Sequence, residues 1–132
     1  KIISVGQTGF NGRPHAEHNA IKNSVEKLKG SKMYVTLEPC NHYGKTPPCT
    51  KSIIDSGIKN VFFSISDPDF RSHDKSTKFF KKKNIRVKKG ICKNETSLFY
   101  ESYIKSKSSL LPFVTCKLAI SKDFFTINTI TI

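Results

Sequence analysis

Apolar residues recur along this chain with two alternating periods. A short apolar run at residues 2–5 (Ile2-Ile3-Ser4-Val5) predicts a strand, and the Gly- and Asn-rich residues 6–13 predict a loop. Pro14 suits the first turn of a helix, and Ala16, Ala20, Ile21, Val25 and Leu28 then follow helical spacing until Gly30 stops it. Residues 33–37 (Met-Tyr-Val-Thr-Leu) read as a strand. Pro47-Pro48 opens a helix over 49–56 that Gly57 ends. Residues 61–65 (Val-Phe-Phe-Ser-Ile) form an apolar strand suited to burial on both faces, and Asp67-Pro68-Asp69 turns the chain. A basic helix over 75–83 precedes a strand over 85–87. A helix over 95–107 is expected to turn Leu98, Phe99, Tyr103 and Ile104 inward, and residues 112–118 begin one more strand.

Strand and helix alternate, so the expected class is α/β, a mostly parallel sheet covered by helices. In such sheets ligands bind beyond the carboxyl ends of the strands. The loops that follow Leu37 and Ile65, residues 38–48 and 66–69, should therefore face one pocket.

Length and composition narrow the class. A chain of 132 residues, 36% hydrophobic, can close a core as one domain and is not a disordered basic protein. No apolar run is long enough to span a bilayer, and no signal peptide is visible at the start. The opening on Lys1, without Met and directly in a strand-like run, leads to the expectation that an N-terminal piece precedes it. The formal net charge of +13 would attract an anion, either a phosphorylated metabolite or nucleic acid. Against that, Lys is spread along the whole chain beside abundant Ile, Asn and Phe, as a compositional bias produces. Lys81-Lys82-Lys83 reads as a solvated helix end, and Phe79-Phe80 as core. Of the four cysteines, Cys92 and Cys116 lie in apolar, strand-like stretches and read as buried free thiols in a reducing cytoplasm.

The chemistry lies in His15-Ala16-Glu17, then Pro39-Cys40, then Cys49. One imidazole and two thiolates can hold a single Zn²⁺ and leave its fourth position open to water. A nearby carboxylate that is not a ligand completes the parts of a zinc deaminase, with Glu17 as the proton carrier. His15 and Glu17 are about 200° apart around a helix. They converge only on a point at the helix N-terminus. Cys49 also starts a helix, where the dipole favours thiolate. His18, a turn further on, reads as a surface residue or as support behind the ligands.

The stretch between the cysteines, Asn41-His42-Tyr43-Gly44-Lys45-Thr46-Pro47-Pro48, is longer than the short gap common among zinc deaminases. Together with His15-Ala16-Glu17 and Thr36-Leu37-Glu38-Pro39-Cys40, it resembles the pyrimidine deaminase family of riboflavin biosynthesis. The resemblance continues through residues 53–58 and Asp67-Pro68-Asp69. It implies a three-layer α/β/α cytidine deaminase-like sandwich with a mostly parallel sheet, lacking here the family's N-terminal helix and strand. It implies hydrolysis of the 2-amino group of 2,5-diamino-6-(5-phosphoribosylamino)pyrimidin-4-one. Zinc falls on His15, Cys40 and Cys49, the proton shuttle on Glu17, and substrate contacts on His42, Lys45, Asp67 and Asp69. The chain departs from the family where Asp69 replaces an Asn and Phe70-Arg71-Ser72-His73-Asp74 replaces a Pro and glycines; Arg71 can offset the added carboxylate.

Residues 111–123 resemble the opening of the reductase that follows this deaminase in the bifunctional enzyme. The division implied is a deaminase over 1–110 and the start of a reductase over 111–132, with NADPH needed only if a complete reductase follows. The implied partner is the phosphoribosylated pyrimidine; no membrane is implied, and a homo-oligomer is compatible with an exposed sheet edge. Two other readings fit the zinc motif: a deaminase acting on tRNA or a nucleobase, and a non-catalytic module stabilised by zinc. The retained Glu17 counts against the last.

Overall fold

The computed structural model describes residues 1–125. Three parallel strands form one sheet in the order β1 (Lys32–Leu37), β2 (Asn60–Ile65), β3 (Arg86–Lys89). The register sets Met33 beside Val61 and Val61 beside Val87. Because side chains alternate along a strand, Met33, Val35, Val61, Phe63 and Val87 share one face. Helices α1 (Ala16–Lys22), α2 (Cys49–Asp55) and α3 (Lys75–Lys82) cover it, contributing Ile21, Ile53 and Phe80 to the core. The opposite face carries Tyr34 stacked on Phe62, with ring centroids 4.6 Å apart. Helices α4 (Lys93–Phe99) and α5 (Glu101–Ser108) meet that face through Ser64 Oγ, which donates to Cys92 O, and through the Thr36–Tyr100 hydroxyl pair. The result is the expected three-layer α/β/α arrangement. Among the described residues no helix is long and apolar enough to cross a membrane.

Several local expectations are corrected. Residues 2–5 form no strand, and Ile2 is 80% exposed. Their segment lies along α1 instead, where Ser4 Oγ donates to Ala20 O at 2.7 Å. Gly6 permits that approach, since a Cβ there would sit 2.3 Å from Ala16 O and Ala20 N. Helix α1 starts at Ala16, so Pro14 precedes its cap instead of filling its first turn. It ends at Lys22 and does not reach Leu28. The Ser24 hydroxyl accepts from the Glu26 amide in a local turn that competes with helix, and Val25 is left 96% exposed while Leu28 still packs on the core.

The third strand begins one residue late, with Ile85 buried ahead of it. The helix expected over 95–107 is two helices that meet at Tyr100, whose φ and ψ of −94° and 11° are not helical. The break turns Tyr100 and Tyr103 toward the sheet edge and leaves Leu98 and Phe99 outside, Leu98 at 74% exposure. Cys92 and Cys116 are exposed, not buried; Cys92 occupies a left-handed position ahead of α4. Residues 112–118 form no strand. The expected reductase segment over 111–132 extends past the described residues at 126–132.

Candidate functional site

His15 is the N-cap residue of α1 and Glu17 lies in its first turn, buried. Both therefore project from one helix start, the only position from which residues so spaced can converge. Cys40 follows β1 directly. Cys49 is the first residue of α2 behind Pro48, the fixed-φ residue that helps open the helix. His15 Nδ1 lies 3.1 Å from Cys49 Sγ and 3.5 Å from Cys40 Sγ. One donor atom from each of the three lies within 4.8 Å of the others. Ligands about 2.0–2.3 Å from a tetrahedral zinc are separated by roughly 3.5 Å, so the nitrogen and two sulfurs are both the right chemistry and the right size for that ion.

The electrostatics prepare the same atoms. Hydrogen bonds from Cys49 and then from His15 lower the Cys40 thiol to about 4, against the opposing effect of burial. The amide of Cys49 also donates to Cys40 Sγ at 3.3 Å. The helix start thus serves the other cysteine's sulfur, where the sequence suggested Cys49 itself. The Cys49 thiol is pushed up, first by its hydrogen bond to Cys40 and then by burial. His15 is raised chiefly by its bond to Cys40. Burial raises Glu17, which keeps that carboxyl closer to the neutral range where it can exchange protons.

A cavity of about 1160 Å³ opens over this cluster and along the free edge of β1. His15, Glu17, Cys40, Asp67 and Tyr103 line it. Of the residues expected to contact substrate, Asp67 is therefore brought to the metal side. His42 stands apart from that lining, with Nδ1 3.0 Å from Ser72 Oγ, and Lys45 is exposed on its loop. Asp69 is buried and engaged: Arg71 Nε and Nη2 donate to its two oxygens at 2.9 and 2.6 Å, and Lys107 Nζ lies 3.4 Å away. His18 is exposed.

Sequence reasoning missed two residues. Glu38, 3% exposed, accepts from the amides of Asp67, Asp74 and Ser76 and from the Ser76 hydroxyl. A carboxylate immediately before Pro39-Cys40, at the end of a strand, was the available signal. Tyr103 donates to Asp67 Oδ1 at 3.0 Å. No sequence spacing connects those two, since their meeting depends on the break at Tyr100.

Known proteins resemble this chain. A family model described as the cytidine and deoxycytidylate deaminase zinc-binding region matches residues 1–65. The chain is 45% identical over 112 residues to a diaminohydroxyphosphoribosylamino-pyrimidine deaminase of Buchnera aphidicola from Schizaphis graminum, covering 85% of this chain and 76% of that protein. It is 39% identical over 123 residues to the riboflavin biosynthesis protein RibD of Aquifex aeolicus, covering 93% of this chain and 35% of the relative. Among solved structures, Acinetobacter baumannii RibD in its second form matches with a TM-score of 0.84 at 35% identity, over 93% of this chain and 35% of that one. The Thermotoga maritima deaminase/reductase matches at 0.72 and 40% identity, over 80% and 32%. The chain thus spans about three quarters of the Buchnera deaminase and about a third of the RibD proteins.

Proposed function

The chain belongs to the diaminohydroxyphosphoribosylamino-pyrimidine deaminase family, and from that premise we propose that it hydrolyses the 2-amino group of 2,5-diamino-6-(5-phosphoribosylamino)pyrimidin-4-one. Water adds to the carbon that bears the amine, the C–N bond breaks, and ammonia leaves. The product is 5-amino-6-(5-phosphoribosylamino)uracil.

The observation that carries this reading is that His15, Cys40, Glu17 and Asp67 line one cavity, with Cys49 completing the ligand cluster beside His15 and Cys40. Zinc on the three ligands would supply Lewis acidity toward water. Glu17 takes a proton from the attacking water on its carboxylate and returns it to the leaving amine, so the residue ends each turnover as it began. Burial favours the protonated form of Glu17 and so strengthens the carboxylate as the base that takes the proton from water. Asp67 accepts hydrogen bonds from the sugar hydroxyls of the substrate. His42 and Lys45, on either side of Gly44, are assigned to substrate contact, where the Lys45 ammonium can meet the pyrimidine carbonyl or the phosphate, and Asp69 acts on the ribose-phosphate arm through Arg71. The deaminase reading rests on residues 1–110 and asks nothing of the reductase-like segment, residues 111–132. The free thiols of the metal site suit a reducing, cytoplasmic location.

The test is ammonia release from the diaminopyrimidine phosphate by zinc-loaded protein. Release at one equivalent per substrate consumed, with the aminouracil as product, is expected. Zinc-loaded, folded protein that turns over cytidine or an RNA adenosine but leaves this compound intact would overturn the assignment.

A further inference from the structure

Asp67 is 6% exposed, yet its two oxygens are treated differently. Oδ1 accepts from the Asp69 amide at 2.9 Å and from the Tyr103 hydroxyl at 3.0 Å. Those two donors occupy both lone pairs of that oxygen. Among the described residues nothing donates to Oδ2, and it is not sealed from solvent. Asp67 lines the cavity with His15, Glu17 and Cys40. A buried carboxylate that lines a cavity with one oxygen filled and the other without a donor is an acceptor for a donor that enters that cavity.

We infer that Tyr103 is a positioning residue for the hydroxylated arm of the substrate: its phenol fills Asp67 Oδ1 so that Oδ2 is presented to the sugar. The inference rests on the deaminase reading for the nature of that arm, but its geometry does not depend on it. Three features support the role. Burial and the Asp67 charge both raise the phenol above its ordinary value, so the hydroxyl remains a donor across the working range. The backbone that carries the carboxylate is held on both sides of the residue, because His73 Nδ1 lies 2.8 Å from Asp67 O and Glu38 accepts from the Asp67 amide. Tyr100 packs edge-on against the ring at 6.3 Å, and charged groups complete its surroundings, with Lys107 Nζ 5.7 Å from the centroid and Arg71 and Lys107 both on Asp69, which suits a hydroxylated ligand.

Helix α5 also reaches the sheet through Tyr100, whose hydroxyl lies 2.9 Å from Thr36 Oγ1. That second tie allows a merely structural role to be separated from a positioning one. Tyr103→Phe and Tyr100→Phe each remove one tie of the same helix, but only the first frees Asp67.

The experiment measures binding of ribose 5-phosphate by calorimetry, together with kcat and KM for the diaminopyrimidine phosphate, in wild type and both variants. Once Asp67 is free to turn, the sugar loses one hydrogen bond to a charged group, which corresponds to about a tenfold loss of affinity. Tyr103→Phe should therefore weaken ribose 5-phosphate about tenfold and raise KM by a similar factor, with kcat within about twofold and zinc content unchanged. Tyr100→Phe should change neither constant. Equal losses in the two variants would reduce Tyr103 to a tether and overturn the proposal. So would an unchanged Kd in Tyr103→Phe, or no measurable binding of ribose 5-phosphate to the wild-type protein. If the wild type binds ribose 5-phosphate in a Tyr103-dependent way but releases no ammonia, the deaminase assignment fails and the positioning role stands.

Discussion

Glu38 and Ser76 are joined twice: Glu38 Oε1 accepts from the Ser76 amide at 3.0 Å and from the Ser76 hydroxyl at 2.6 Å. The other oxygen accepts from the amides of Asp74 and Asp67, at 3.0 and 3.3 Å. A single buried carboxylate thereby ties the loop that carries Cys40 to the loop that carries Asp67. Glu38→Ala leaves these donors without a partner, those of Asp67 and Ser76 in the buried interior, which costs about 3 kcal/mol or more. Urea denaturation should show that loss, with Ser76→Ala milder at about 1 kcal/mol. A Glu38→Ala midpoint equal to the wild type would show that the two loops are held by other means.

Glu17→Gln keeps the shape of the side chain and removes its proton chemistry. Turnover should fall by about two to four orders of magnitude, while zinc content and KM stay near wild type. Quenched-flow or steady-state ammonia assays check the first and metal analysis the second. Full turnover in the glutamine variant would take Glu17 out of the reaction.

Metal removal should loosen the junction of α1, α2 and the end of β1, because His15, Cys40 and Cys49 lie one on each. An ion that binds only the folded chain adds about 2.7 kcal/mol at a hundredfold excess over its dissociation constant. Chelation should lower the melting temperature measurably, and re-addition of zinc should restore it. Cys49→Ser and His15→Ala should lose stoichiometric zinc and the response to chelator together. A chelator response that persists in both variants would place the stabilising ion elsewhere.

Gly6→Ala puts a methyl group 2.3 Å from Ala16 O and Ala20 N, both backbone atoms that cannot swing aside. The N-terminal segment must then lift off α1, at about 1–3 kcal/mol. Gly12→Ala, where no atom lies within 4 Å but φ is +77°, meets only backbone strain of about 1 kcal/mol. Hydrogen exchange should localise the first effect to residues 4–6 and 16–20. Equal protection there in wild type and variant would contradict the close approach.

Asp69 predicts the acid behaviour. The hydrogen bonds and charge of Arg71 hold its carboxyl well below the ordinary carboxylate range. A group depressed in the folded state stabilises it fully above the unfolded value of about 3.9, and that contribution is lost as pH falls below it. Arg71→Gln should therefore flatten the decline of melting temperature between about pH 4 and pH 2. An acid limb of unchanged slope would mean that the pair contributes nothing to stability.

The candidate ligands His15, Cys40 and Cys49 were legible as residue types, and the two helix starts that place His15, Glu17 and Cys49 were legible because each depends on neighbours near in sequence. A residue type and a short spacing suffice for Pro48 ahead of Cys49, or for His15 and Glu17 at one helix end. The alternation of apolar strands and helices likewise carried the α/β class. Errors gathered where local pattern and packing disagree. Residues 2–5 have strand-like composition but lie along α1, which Gly6 lets them approach. Val25 keeps helical spacing in a stretch that Ser24 has already turned. The periodicity over 95–107 runs unbroken through Tyr100, where the fold bends the helix.

The tertiary structure alone decided which donors meet which acceptors across long stretches of chain. Glu38 on Ser76, Tyr103 on Asp67 and Arg71 on Asp69 rest on how two post-strand loops and a broken helix pack at one sheet edge. Composition and period record what each segment prefers in isolation. A buried carboxylate takes the donors that packing brings within about 3 Å, and only the assembled fold sets which those are.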